Sequence, residues 1–261
     1  MQLRIWPFLM GALVVSCGEP REQPSQPGTD ASHGLFLVPD SQRAIANREF
    51  RVAIHGGGVL GGETLEGIPD KFDPFSVRVG GYQRNLLEPD VVEGEAVVRV
   101  RLPESGNSTI AFSTEPRSVL WGDGEQVLLS QHVKSLFFVS DMELAAPVSS
   151  AAMTYRFGLE LEIVPLIDPV PLIPGQQLPL QVRYGGPELA EARIDVQRQD
   201  LSGDANSEWV FRGETDDAGT IVLDVEKPGR YLATVIHGPL GVGSNRVVHR
   251  AVLSFVVGDV K

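Results

Sequence analysis

Tyr155-Arg-Phe157-Gly-Leu159-Glu-Leu161-Glu-Ile163 places an apolar side chain at every odd position and mostly charged ones between them. A period of two is that of an extended strand with one buried face, because successive side chains point to opposite sides. Residues 177–184 repeat the pattern, with Leu178, Leu180, Val182 and Tyr184 on one side. Shorter runs of the same kind occupy 49–54, 75–79, 96–102, 108–113, 135–139, 192–197, 209–212, 220–225, 230–237 and 248–257. Gly, Pro, Asn and Asp separate them, as turns between strands require. The pattern predicts an all-β chain of sandwich type. Only 125–134 and 187–190 carry a weak helical period, a turn or two each.

The composition agrees. Hydrophobic residues make up 42% of the 261 residues, enough for a real core. With 28 Gly and 19 Pro, and no long Ala/Leu/Glu/Lys stretch, a helical bundle or coiled coil is excluded. Lys and Arg number 22 against 34 Asp and Glu, a formal net charge of −12. Such a chain repels phosphate backbones, which argues against a nucleic-acid partner. One cysteine excludes a disulfide framework and a Cys-cluster zinc site.

That cysteine has a telling position. Residues 1–15 carry one charge, Arg4, and then an apolar run too short to span a bilayer. The run ends in Val14-Val15-Ser16-Cys17, which resembles a bacterial lipobox, where the cysteine is lipidated and becomes the first residue of the mature chain. Residues 1–16 are therefore expected to be a lipoprotein signal peptide, with Cys17 as the lipid anchor. The localisation expected from this is the bacterial cell envelope, on the periplasmic or cell-surface side of a membrane. Residues 17–32 hold three prolines and no large apolar side chain, and are read as a flexible tether. The bland segment Pro147-Val-Ser-Ser-Ala-Ala-Met153 suggests a boundary, with a first β-sandwich domain at 33–150 and a second, Ig-like or transthyretin-like, at 151–261.

No catalytic constellation assembles, so the chain is not expected to be an enzyme. His55-Gly56-Gly57-Gly58 resembles an oxyanion loop, but no G-x-S-x-G elbow occurs. Gly56-x-Gly58-x-x-Gly61 matches a dinucleotide fingerprint, but the residues after it, up to Pro69, cannot form the helix that would hold a pyrophosphate. Both read as an inter-strand loop. Glu160 and Glu162 share one strand face and are expected on an outward, solvated side. Asp200, Asp204, Asn206 and Glu208 crowd one loop, but without EF-hand spacing they read as surface acids.

The histidines are more informative. If 230–237 and 247–257 form a hairpin, His237 and His249 share a face, opposite or diagonal within about 8 Å. Two imidazoles so placed suit one transition metal; the competing reading puts them at the rim of a sandwich. His132 sits in a polar segment and is given no role.

Two family resemblances follow. Thr215-Asp-Asp-Ala-Gly219 and Lys227-Pro-Gly-Arg-Tyr231 resemble the turn motifs of carboxypeptidase-regulatory-like and transthyretin-like sandwiches. Here Asp217-Ala-Gly219 is a tight hairpin turn, and Tyr231 opens an inward-facing strand. More widely, His33-Gly-Leu-Phe-Leu-Val-Pro39, the His55 loop, Leu161-Glu-Ile-Val-Pro165, Pro174-Gly-Gln-Gln-Leu178 and Thr234-Val-Ile-His237 together resemble the DUF4198 family. Gly34 and Phe36 stand where that family has an acid and a Trp. The resemblance implies an envelope protein associated with nickel or cobalt uptake. It adds His33 to His237 and His249 as a metal ligand and suggests Ni²⁺ or Co²⁺ as the ion. The partners implied are the membrane and a metal transporter or another envelope protein. The alternative is a membrane-tethered structural or protein-interaction module with neither metal nor catalysis.

Overall fold

The computed structural model describes residues 34–39, 43–57, 76–79, 82–85, 89–93, 95–121, 126–141, 152–169, 172–201, 207–238 and 246–258. Residues 1–33, which hold the expected signal peptide, Cys17, the expected tether and His33, lie outside the described residues. In chain order the strands are β1 (Leu35–Pro39), β2 (Arg43–Ile45), β3 (Glu49–Gly56), β4 (Ser76–Val79), β5 (Tyr82–Asn85), β6 (Asp90–Val92), β7 (Glu95–Arg101), β8 (Gly106–Ser113) and β9 (Arg117–Leu120). They continue as β10 (Gln126–Ser140), β11 (Leu161–Pro165), β12 (Gln176–Tyr184), β13 (Arg193–Gln199), β14 (Ser207–Glu214), β15 (Thr220–Val225), β16 (Gly229–His237) and β17 (Val247–Val257). The chain is all-β, and the described residues contain no helix. The helical period over 125–134 gives way to the long strand β10.

Three sheets result. One is four-stranded (β1-β3-β7-β6) and one three-stranded (β11-β12-β15). Between them runs a ten-stranded sheet whose main path is β14-β13-β16-β17-β10-β8-β4-β5, with β2 and β9 also on β10. Alternate residues of its central strands face two different cores. Leu232 and Val252 join the core beneath β1, β3 and β7. Tyr231, Ala233, Val235, Ala251, Leu253 and Phe255 join the core beneath β11, β12 and β15. The expected boundary near 147–154 overlaps residues 142–151, which lie outside the described residues. Strands from its two sides meet where β10 and β17 pair in parallel.

Strands covered on both faces lose their alternation of apolar and polar residues. β17 is buried throughout from Arg250 to Val257 and β10 from Ser130 to Ser140. The polar residues of β10 survive there because they are bonded. Lys134 donates to Glu162 Oε1 at 2.9 Å and to the carbonyls of Tyr155 and Ile163, both at 3.2 Å. Glu162 in turn accepts the backbone N–H groups of Phe157 and Gly158. This corrects two expectations. Glu162 is not on a solvated face; it is buried beside Lys134. The strand expected from Tyr155 begins only at Leu161, because the N–H groups of Phe157 and Gly158 turn to the carboxylate instead of a ladder.

The free edge of β1 meets the central sheet. Its Leu35 N–H donates to Gln131 Oε1 at 2.8 Å, and its Leu37 carbonyl accepts from Ser254 Oγ at 2.9 Å. Side chains thus satisfy edge groups that would otherwise be left unpaired. The Asp216–Gly219 turn is tight as expected, closed by the Gly219 N–H on the Asp216 carbonyl, and Gly219 has φ +66. It is not a hairpin, however. β14 belongs to the central sheet and β15 to the three-stranded one, so the turn arches between layers.

Candidate functional site

β16 and β17 pair antiparallel with His237 directly opposite His249. The hairpin arithmetic therefore holds, and the two imidazoles share the face of the second core. On the other side of β17, His132 of β10 lies two positions beyond the register partner of His249. The His132 and His249 rings are stacked, with centroids 5.4 Å apart and planes 13° from parallel. His132 Nε2 is 3.1 Å from His249 Nδ1, and Ser113 Oγ of β8 is 2.8 Å from His132 Nδ1. Tyr184, at the end of β12, closes the cluster, its ring centroid 4.5 Å from that of His237 and 5.4 Å from that of His249.

His132 is the member the sequence missed. Its neighbours Ser130, Gln131, Lys134 and Ser135 make the segment look like a surface. Nothing local announces that a strand more than a hundred residues later will lie beside it.

The electrostatics follow from depth. His132 is 4% exposed, and burial pushes its pKa down to about 4, with the adjacent His249 adding to the effect. Burial also lowers His237 and His249; for His249 the Glu160 carboxylate pulls the other way and His237 works with burial. The cluster is thus built for neutral imidazoles. The unfolded chain takes up the His132 proton near pH 6.5, well before the folded one does. Its stabilising contribution is complete above about pH 6.5 and is lost as pH falls toward 4. The melting temperature is expected to decline through that window, and less steeply in His132→Asn. Equal slopes would place the proton uptake elsewhere.

Ser113, His132 and His249 form a chain with two proton settings. In one, Ser113 donates to His132 Nδ1, and His132 Nε2–H donates to His249 Nδ1. In the other every proton is reversed, and His249 Nε2 offers a free lone pair. In the second setting His132 does for His249 what outer groups do for a metal-ligating imidazole: it fixes tautomer and ring orientation.

The other candidate residues are not drawn into this cluster. Cys17 and His33 lie outside the described residues, as do residues 58–75, Asp204 and Asn206. His55 stacks on Phe36 at 5.3 Å. Asp200 and Glu208 are both paired with Arg198. Among the described residues, no three His, Cys, Asp or Glu side chains are grouped to hold a metal ion.

Residues 76–238 match the family model described as "Domain of unknown function (DUF4198)". The chain belongs to the DUF4198 family. The match takes in β4 to β16, hence His132, Tyr184 and His237; His249 and β17 lie beyond it. No curated protein matches this DUF4198 chain. Among solved structures it is similar to the D0-D1 domain of intimin (14% identity, 85% of this chain and 97% of that one, TM-score 0.24). It is also similar to murine CEACAM1b (10% identity, 86% and 99% covered, TM-score 0.22). A third similarity is to Salmonella alpha-2-macroglobulin reacted with methylamine (11% identity, 90% of this chain but 15% of that one, TM-score 0.22).

Proposed function

We propose that the protein is a binding protein of the bacterial cell envelope, held to a membrane through a lipidated Cys17, and that it takes a divalent transition metal such as Ni²⁺ or Co²⁺ through His237 and His249. The observation that supports this reading is the His237–His249 pair, directly opposite on one hairpin, with His249 backed by the Ser113–His132 chain. Imidazole suits these metals, and a net charge of −12 raises the local concentration of cations. Two imidazoles with water completing the shell make an open site, suited to sequestration or hand-over to a transporter. His33 is the further ligand that the family resemblance implies. We read binding rather than catalysis. The second reading, a tethered structural or protein-interaction module, is favoured by Trp209, Val210 and Val222, which are exposed along the edge strands β14 and β15.

Calorimetry with Ni²⁺, Co²⁺ and Zn²⁺ at about pH 7.5 and about pH 5.5 separates the two, because only neutral imidazole ligates. Binding near one equivalent is expected at the higher pH and sharp weakening at the lower. His249→Ala should abolish binding and His237→Ala remove most of it. Equal weak binding by wild type and His249→Ala would leave the interaction module as the reading.

A further inference from the structure

A different cluster lies on the opposite face of the same strands. Arg250 follows His249 on β17 and therefore points the other way; its register partner on β10 is Gln131. Arg250 is 6% exposed and Gln131 fully buried. The guanidinium lies against the start of β1: a methyl group on Gly34 would fall 1.5 Å from Arg250 Nη1 and 2.4 Å from the Gly57 carbonyl oxygen. Gln131 spends its oxygen on the Leu35 N–H, but among the described residues its Nε2 is buried with no partner, and so is Arg250 Nε. Among the described residues no charged side chain acts on the Arg250 guanidinium. The guanidinium is cationic at neutral pH, as arginine is throughout proteins.

An ionised guanidinium withdrawn from water without a counter-charge is strongly unfavourable, and a buried amide N–H without an acceptor adds to the cost. Both orphan donors sit on adjacent strands in register, on one face, where Gly34 presents only backbone. We propose that Arg250 and the Gln131 amide are a receptor for the carboxylate of a ligand that enters beside Gly34. A guanidinium fork matches two coplanar oxygens, and its single charge is balanced by a monoanion. The Gln131 N–H supplies a further donor to the same pair of oxygens. A free small acid and the C-terminal carboxylate of a peptide present the same chemistry to this site. The site shares no side chain with the histidine cluster, so metal titration and carboxylate titration can fail separately.

The test is thermal unfolding of the full chain in sodium acetate, in sodium chloride of equal ionic strength, and with tri-alanine or its C-terminal amide. Acetate should raise the melting temperature with equal increments per tenfold increase above half-saturation, while chloride and the amide do not. Stabilisation by both acetate and tri-alanine identifies a free acid as sufficient. Stabilisation by tri-alanine alone identifies a chain terminus. Arg250→Met should abolish the response and, without ligand, melt no lower than wild type, because it removes an uncompensated charge. Gly34→Ala, which drives a methyl into the guanidinium, should weaken the response at least tenfold, and Arg250→Lys should keep a weaker one. Identical melting of the wild type in acetate, tri-alanine and chloride overturns the proposal. So does an Arg250→Met variant that responds like wild type.

Discussion

Lys134→Met is expected to destabilise the protein by about 3–5 kcal/mol, the cost of stranding one member of a buried ion pair. In the wild type the ammonium is 1% exposed, and three acceptors occupy its three protons. Burial lowers the Lys134 pKa, while the charge and hydrogen bond of Glu162 pull it back up. Without the lysine, the Glu162 carboxylate keeps only the N–H groups of Phe157 and Gly158. Urea unfolding near neutral pH measures the loss. The double variant Lys134→Met/Glu162→Leu should recover most of it, since two apolar groups of similar volume replace the pair. A single-variant loss under about 1 kcal/mol would mean that the carboxylate finds water once the lysine is gone.

Tyr231→Ala is expected to cost a comparable amount, about 3–5 kcal/mol, as large aromatic truncations in a core do. Tyr231 is 1% exposed, and its ring stacks on that of Phe255 at 5.3 Å with planes 9° apart. Its hydroxyl donates to the Lys227 carbonyl at 2.6 Å, which ties the turn before β16 to the core. Burial also pushes its pKa up. Tyr231→Phe keeps the ring and should lose only about 1 kcal/mol, the worth of one hydrogen bond. If the two variants unfold at the same denaturant concentration, the ring contributes nothing that Ala lacks, and the packing argument fails.

The two residues mark how far the sequence could be read. Tyr231 was legible, because the Pro-Gly turn before it and the alternation after it set which face points inward. The same arithmetic placed His237 opposite His249, since an antiparallel hairpin is fixed by its own local register. Lys134, Gln131 and His132 were not legible. In a strand buried on both sides, polar residues do not mark solvent; they mark partners supplied by distant elements, here Glu162, Leu35 and His249. Parallel pairing of β10 with β17 leaves no turn between them from which a register could be inferred. Alternation places Glu162 on the wrong side for the same reason, because it cannot separate a solvated carboxylate from one paired in the interior.

That parallel pairing also dictates an order of events. β17 lies between β16 and β10 and supplies side chains to both cores. Strands near the beginning of the chain are thus completed by a segment near its far end, the least local kind of contact and the slowest to form. During synthesis, β10 presents an unpaired edge until residues 247–257 arrive. Over that interval the chain resembles an open sheet, prone to wrong pairing. The lipid anchor proposed at Cys17 would hold it at the membrane surface while it waits.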